Sequence, residues 1–455
     1  MTQKLTRRTF MKQAGLAGIG LALASCATPA AQPAASSDEA GAPSQYKVTE
    51  IIAPSWWAPH EIEGAEASFN STFKEQTGLT VKYDFIGSDF DAKVFTNLAS
   101  GTPYDVITFN ADRVPQYLER GILRSIDDLV ERDGYDLSNF VDGALEQWTH
   151  DGELYGLTAD MGSFHCYFNK ALFEAAGLEA PSPLDDWSWD DLLEWSKALT
   201  VRDGDQITQY GFAADTNWNW EIWPNTNGEY VFDEGITKSL LDSDAAIQAY
   251  DFYQSLMYEE NVAVKPGSIQ TGVNELFLAG QLAIMMNGTW QVGWLRSKKE
   301  EVSFNWDVGV QPYGSAVGAD GWLVPNFTAG WVIPNNAPDV DASWEAVKFY
   351  AGDTFAEDVM FTALSGLPTT KSALDGAWYA QWPDNPPEGL TPEFYGKLLE
   401  HGAPRRHLRF DLGSEVNASM NKLELIYSNE EEPANLLPGL AEEVNAGLAT
   451  RPWNS

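Results

Sequence analysis

Tyr46 to Ala53 alternates apolar and polar residues and then turns apolar, the period of a β-strand, and runs into the loop Pro54-Ser-Trp-Trp-Ala-Pro59. Ile62, Ala65, Phe69 and Phe73 then recur at helical spacing and stop at Gly78, where a helix C-cap glycine belongs. A second strand is predicted over Leu79 to Ile86, a helix along Phe90, Val94 and Leu98 up to Ser100-Gly101, and a third strand over Asp105 to Phe109. Strand, helix, strand, helix, strand is the pattern of a parallel α/β sheet.

Past Tyr155 the texture changes to longer helical stretches, Trp189–Leu199 and Ala245–Tyr258, with many tryptophans between them. Asn274 to Met286 reads as helix then short strand. Trp306–Pro312 and Gly330–Pro334 read as strands, and the last third is mostly helical. This suggests a second, more helical lobe. No internal repeat is visible, which excludes solenoids and propellers.

The first residues carry Lys4, Arg7, Arg8 and Lys12 without an acid, followed by an apolar Gly/Ala-rich run ending at Leu23-Ala-Ser-Cys26. Residues 1–25 are an export signal. Thr6-Arg-Arg-Thr-Phe-Met-Lys12 resembles the twin-arginine signature, and the small residues before Cys26 resemble a lipoprotein lipobox, in which the cysteine is acylated. Residues 26–45, rich in Ala, Pro and Ser, read as a flexible tether. The mature protein is expected to be extracytoplasmic, held at the membrane by lipid on Cys26.

With 455 residues and 44% hydrophobic positions, the chain buries a sizeable core. Asp and Glu number 66 against 28 Lys and Arg, a net charge of −38, so a nucleic-acid backbone is repelled and no nucleic-acid partner is expected. Besides Cys26 only Cys166 is present, so no disulfide framework exists, and Cys166 reads as a buried small hydrophobe.

Several blocks resemble the extracellular solute-binding proteins of bacterial ABC importers, in the group of maltose- and other sugar-binding proteins. They are Pro103-Tyr-Asp-Val-Ile107 leading to Asn110-Ala-Asp-Arg113, Gly121 to Asp127, Asp151-Gly-Glu-Leu-Tyr-Gly-Leu157, Tyr167-Phe-Asn-Lys-Ala-Leu-Phe173 with Trp189-Asp-Asp-Leu, Phe277 to Trp290, Gly330-Trp-Val-Ile333 and Trp344 to Tyr350. The resemblance spans nearly the whole mature chain. It implies an α/β fold of two lobes, with the solute in the cleft between them and hinge crossovers near Ala159–Met161, Pro312 and Tyr350–Asp353. Lobe one is then 46–158 plus 313–350, and lobe two 159–312 plus 351–455. It further implies a monomer that captures a sugar or oligosaccharide and delivers it to the permease subunits of an ABC transporter, without being an enzyme.

A sugar offers hydroxyls at its rim and apolar C–H faces, so its site needs flat aromatic surfaces and fixed acceptors. By resemblance Trp290 stacks on the ligand, with a core position as the alternative. Asp112 and Arg113 match a pair that bonds sugar hydroxyls in relatives, Asp112 being otherwise a helix N-cap. Trp56 and Trp57, on the first strand-to-helix loop, are candidates to face the cleft. Trp331, after Gly330, and Trp220, within the alternating Trp218, Trp220 and Trp223, are further candidates for its wall. Asp160 sits at the first crossover, as ligand or as hinge structure. Arg409, in the C-terminal part, reads first as a salt-bridge partner among so many acids, with reach into the cleft as the alternative.

No Cys-x-x-Cys or His-Glu-x-x-His occurs, the histidines at 60, 150, 165, 401 and 407 are scattered, and no metal or cofactor is expected. The acids around Asp185, Asp190 and Asp203 read as solvated or helix N-terminal rather than as a calcium loop. A surface-anchored glycoside hydrolase and a binding protein for a cation such as a polyamine remain as rival readings.

Overall fold

The computed structural model describes residues 45–214, 219–364, 366–375 and 387–451, with backbone alone at 361–364, 404, 408 and 409. The signal-peptide motifs, Cys26 and Trp218 lie outside the described residues, as does the side chain of Arg409.

Strand β1 (Glu50–Ser55) pairs in parallel with β2 (Thr80–Phe85) through the intervening helix α1 (Pro59–Ser68), which continues as a π-helical turn over Phe69–Phe73 and a last turn to Thr77. Proline suits the first helical position because its missing N–H would have no partner there. Gly78 ends the run at φ 77, a left-handed conformation glycine adopts without strain. Ala65, Phe69 and Phe73 of the expected stripe are buried. Helix α2 (Phe90–Ala99) and strand β3 (Ile107–Asn110) follow where the pattern placed them.

β3 does not extend the parallel pair. The Ile52 N–H donates to Asp105 Oδ2 at 2.8 Å and the Asp105 N–H to the Ile52 carbonyl at 3.2 Å, so one side chain replaces a ladder rung. The strand partner of β3 is instead antiparallel and comes from residues 329–332. Local periodicity carries no information about a partner so distant in sequence.

Two larger sheets organise the remainder. β4 (Gly156–Gly162) runs into β5 (Phe164–Asn169) with only Ser163 between them, yet the two strands belong to different sheets. The second-lobe sheet is completed by β6 (Val201–Asp203), β7 (Gln206–Ala214), β8 (Leu282–Gly288) and β9 (Trp306–Gly309), in the order β9-β5-β8-β7-β6. β10 (Val324–Val332) lies between β4 and β12 (Gly402–Pro404), with β11 (Leu367–Pro368) on the far side of β4 and β3 also on β10. The two sheets, joined through the β4–β5 connection, give an α/β fold of two lobes.

Two boundaries need correction. Ala159–Met161 is not where the chain crosses, because β4 stays paired with β10 as far as Gly162; the crossing is at Ser163. Nor does the chain leave lobe one at Tyr350–Asp353, since Leu367 and Pro368 pair with Met161 and Asp160 in the lobe-one sheet. A two-residue strand has no periodicity to read. The return near Pro312 falls in the segment between β9 and β10. The C-terminal helices pack on the helix Asp244–Tyr258, where Gln254 Nε2 donates to the carbonyls of Ile426 and Glu431, each at 2.9 Å.

Cys166 is free and fully buried on β5, and burial pushes its thiol pKa well up, which keeps it protonated and unreactive. Among the described residues no helix is long and apolar enough to cross a membrane.

Candidate functional site

The loop after β1 separates its two tryptophans. Trp57 is buried, its ring stacked 5.8 Å from Tyr83 and 6.1 Å from Tyr350, and it belongs to the lobe-one core rather than to a ligand wall. Trp56 remains partly exposed, edge-on to Phe90 at 5.1 Å, with the Arg113 guanidinium 4.8 Å from its ring centre. Such a cation–π contact fixes the indole plane at a modest gain of about 0.5–1 kcal/mol. Arg113 also pairs with Asp91 at 3.2 Å, so its charge is already engaged. Asp112, in the short turn Ala111–Arg113, is exposed, caps no helix and makes no hydrogen bond or ion pair among the described residues.

Trp331 overturns its expectation. It is fully buried, with its ring between Phe69 (5.1 Å, 3° between planes) and Tyr350 (4.6 Å, 9°). Its indole packs on the helical segment that continues α1 and on the end of the helix Val340–Tyr350, away from the junction of the sheets. Phe327, four residues earlier, lies at that junction instead: a side chain at Gly162 would strike its ring at 2.5 Å, so the glycine admits it.

Trp290 follows β8 and opens helix α3 (Gln291–Ser297). It is partly exposed, edge-on to Phe164 at 5.5 Å and 5.6 Å from Phe327. Gly288 lies directly beneath the indole, where any side chain would collide with it. Ser163 Oγ, Thr289 Oγ1 and Gln291 Nε2, around the same turn, are buried with no hydrogen-bond partner.

From Phe327 the contacts continue into the C-terminal segment. The Arg405 guanidinium is 5.9 Å from the Phe327 ring, its Nε donates to Glu221 Oε2 at 2.6 Å, and His407 Nδ1 lies 3.1 Å from Glu221 Oε1. Burial raises the Glu221 pKa, but His407 and Arg405 outweigh it and hold the carboxyl down at about 2. Trp220, partly exposed, covers His407 with ring centres 5.3 Å apart. The backbone of residues 406–409 packs beside 111–113. Trp290, Phe327, Arg405, His407 and Trp220 therefore form one connected series, which brings Asp112 and Arg113 to the same region.

Asp160 and Glu61 complete the lobe-one side. The Ala329 N–H donates to Asp160 Oδ1 at 3.2 Å, and the Ala58 N–H to Glu61 Oε2 at 2.6 Å. Burial pushes the Asp160 pKa up to about 7, helped by the Glu61 charge and opposed by the Ala329 bond. Glu61 is pushed up to about 7 as well, by burial against its bond from Ala58.

Of the expected residues, the structure thus places Trp56, Trp220, Trp290, Asp112, Arg113 and Asp160 at the junction of the sheets, and Trp57 and Trp331 in the core. Glu61, Phe327, Glu221, Arg405 and His407, which the sequence did not single out, lie beside the junction residues. Only the crowding of cations in Arg405-Arg-His-Leu-Arg409, in so acidic a chain, offered a signal. No group of three or more His, Cys, Asp or Glu suited to a metal is present among the described residues.

Residues 58–357 match the family described as bacterial extracellular solute-binding protein. A lactose-binding protein of Rhizobium radiobacter is 24% identical over 309 residues, covering 66% of this chain and 70% of its own. An ABC substrate-binding protein from Listeria monocytogenes, solved in complex with cycloalternan, superposes with a TM-score of 0.74 at 22% identity, over 88% of this chain and 99% of its own. UgpB of Mycobacterium tuberculosis, solved with glycerophosphocholine, gives 0.73 at 22% identity over 88% and 98%. The two structures share this fold.

Proposed function

Because the chain belongs to the bacterial extracellular solute-binding protein family, we propose that it captures a sugar or oligosaccharide between its two lobes and delivers it to the permease of an ABC transporter. The observation that carries this reading is the pairing of partly exposed indoles, Trp56, Trp220 and Trp290, with the carboxylates Asp112 and Asp160 at the junction of the sheets. Indole faces suit the C–H surface of a pyranose, and carboxylates accept from its hydroxyls. The lactose-binding relative supports the same solute class.

The test is a thermal-shift screen of the mature chain against lactose, maltotriose, glycerophosphocholine and spermidine, since a ligand selective for the folded state raises its apparent stability. A shift with a neutral sugar, recovered intact by chromatography, is expected. Cleavage of the sugar would point to a hydrolase.

The mature chain further acts as a membrane-anchored monomer, acylated at Cys26 after export through the twin-arginine route. Intact-mass measurement of native protein is expected to find a diacyl or triacyl group on an N-terminal Cys26. An unmodified mature form starting elsewhere would refute the anchor.

A further inference from the structure

Trp220 and Trp290 are partly exposed indoles from separate parts of the chain, and one buried cation reaches toward both. The backbone at Trp220 is held on either side. Its carbonyl accepts from the Tyr250 hydroxyl at 2.7 Å, and the next N–H, of Glu221, donates to Asn219 Oδ1 at 3.0 Å. The indole then rests on the His407 ring, 5.3 Å away between centres. Both nitrogens of that imidazole are engaged, Nδ1 lying 3.1 Å from Glu221 Oε1 and Nε2 3.3 Å from Arg405 Nη2, so the ring beneath the indole is fixed in plane. Toward lobe one the Arg405 guanidinium lies 5.9 Å from the centre of the Phe327 ring, and Phe327 is 5.6 Å from Trp290. Arg405 is thus one contact removed from each indole.

Glu221 anchors this centre, accepting from Arg405 Nε at 2.6 Å, and the side chains of Glu221, Arg405 and His407 are all but buried. Arg406, the next residue, faces elsewhere: it donates to the Phe232 carbonyl at 2.9 Å and lies over the Tyr230 ring. A buried ion pair gives little net stability over apolar residues of the same volume, whereas its hydrogen bonds impose a defined geometry. A planar guanidinium can meet a carboxylate, an imidazole nitrogen and an aromatic face at once, which the point charge of a lysine cannot. We propose that Arg405 is a positioning residue for solute recognition, setting the Trp220 and Trp290 indoles relative to one another through His407 and Phe327. The proposal rests on the solute-binding reading above and supplies the alignment of its aromatic surfaces. Indoles set before the sugar arrives avoid the loss of affinity that ordering them on binding would bring.

The experiment is fluorine NMR of the mature chain labelled with 5-fluorotryptophan, with the signals of three indoles identified by their loss in Trp220→Phe, Trp290→Phe and Trp331→Phe. Arg405→Lys is expected to shift or broaden the Trp220 and Trp290 signals and to leave that of Trp331, in the lobe-one core, in place. His407→Leu is expected to move Trp220 alone, and Phe327→Leu to move Trp290 alone. Unmoved Trp220 and Trp290 signals in a cooperatively melting Arg405→Lys would overturn the proposal. So would displacement of all three together, which is what a general loosening of the fold produces. If Arg405→Lys does not fold, the two leucine variants decide: each indole moving with its own support upholds the proposal, and an indole unmoved by the loss of its support overturns it. Calorimetric titration with lactose and maltotriose then reads the consequence for binding. Affinity for the sugar that the wild type binds is expected to fall at least fivefold in Arg405→Lys. Unchanged affinity with both indoles displaced would overturn the role in recognition and leave the solute-binding reading intact. Binding of neither sugar by the wild type would count against the sugar reading alone, and the fluorine pattern then decides the positioning role.

Discussion

Trp290 and Trp331 are the same residue type in blocks of equal resemblance to sugar-binding relatives, yet one is partly exposed beside Phe327 and the other fully buried between Phe69 and Tyr350. Trp290→Ala is expected to weaken sugar binding by about 1–3 kcal/mol, from lost aromatic area and stacking, while the melting temperature holds. Trp331→Ala is expected to cost about 3–5 kcal/mol of stability, as truncation of a core aromatic does. Calorimetric binding beside thermal melts checks both. Glu221 offers a pH-dependent counterpart. Its folded pKa of about 2 lies below the ordinary 4.5, so the stability it contributes is fully present above the ordinary value and is lost as pH falls from there toward the folded value. Glu221→Gln leaves Arg405 and His407 buried with a neutral partner, and is expected to cost about 3–5 kcal/mol at pH 7 and much less near pH 2. Denaturant melts at the two pH values measure the difference. Residue type told which side chains suit a sugar. It did not tell which of them face one, because burial is decided by partners hundreds of positions away.

At the scale of elements, the first strand, helix, strand, helix and strand were legible in type and order, since each has its own period and Gly78 punctuates the first helix. The first strand nevertheless begins at Glu50 rather than Tyr46, and the third at Ile107 rather than Asp105. The pairing was not. β3 turns away from β1 because a strand from the far end of lobe one reaches it, and Asp105 bridges the remaining gap. Asp160 was read as a point on a crossover, whereas it belongs to a strand paired on both sides. The turn joining β8 to α3 supports Trp290 in a similar way, through a glycine. Gly288→Ala puts a methyl into the indole and is expected to displace the ring, reducing sugar affinity by at least fivefold with a smaller loss of stability than Trp331→Ala. Tryptophan fluorescence with calorimetry reads both consequences.

For the whole molecule, the two lobes were visible in the change of texture after Tyr155 and in the family blocks, but the third passage between lobes was misplaced. The segment that decides it includes a two-residue strand whose lobe is settled only by pairing with β4. The same passage carries Arg405 and His407 to Glu221, so the C-terminal segment is tied by charge to lobe two within a few residues of its pairing with β10. Ser163, the segment between β9 and β10, and the run before β12 are then the places where the backbone bends if the lobes move as bodies. That motion is the central claim, because every contact proposed for the solute draws on both sheets. Small-angle scattering of the mature chain, with and without a sugar whose saturation calorimetry has established, tests it most directly. A smaller radius of gyration in the saturated sample is the predicted result. An identical radius, with binding demonstrated in the same sample, would contradict closure around the solute.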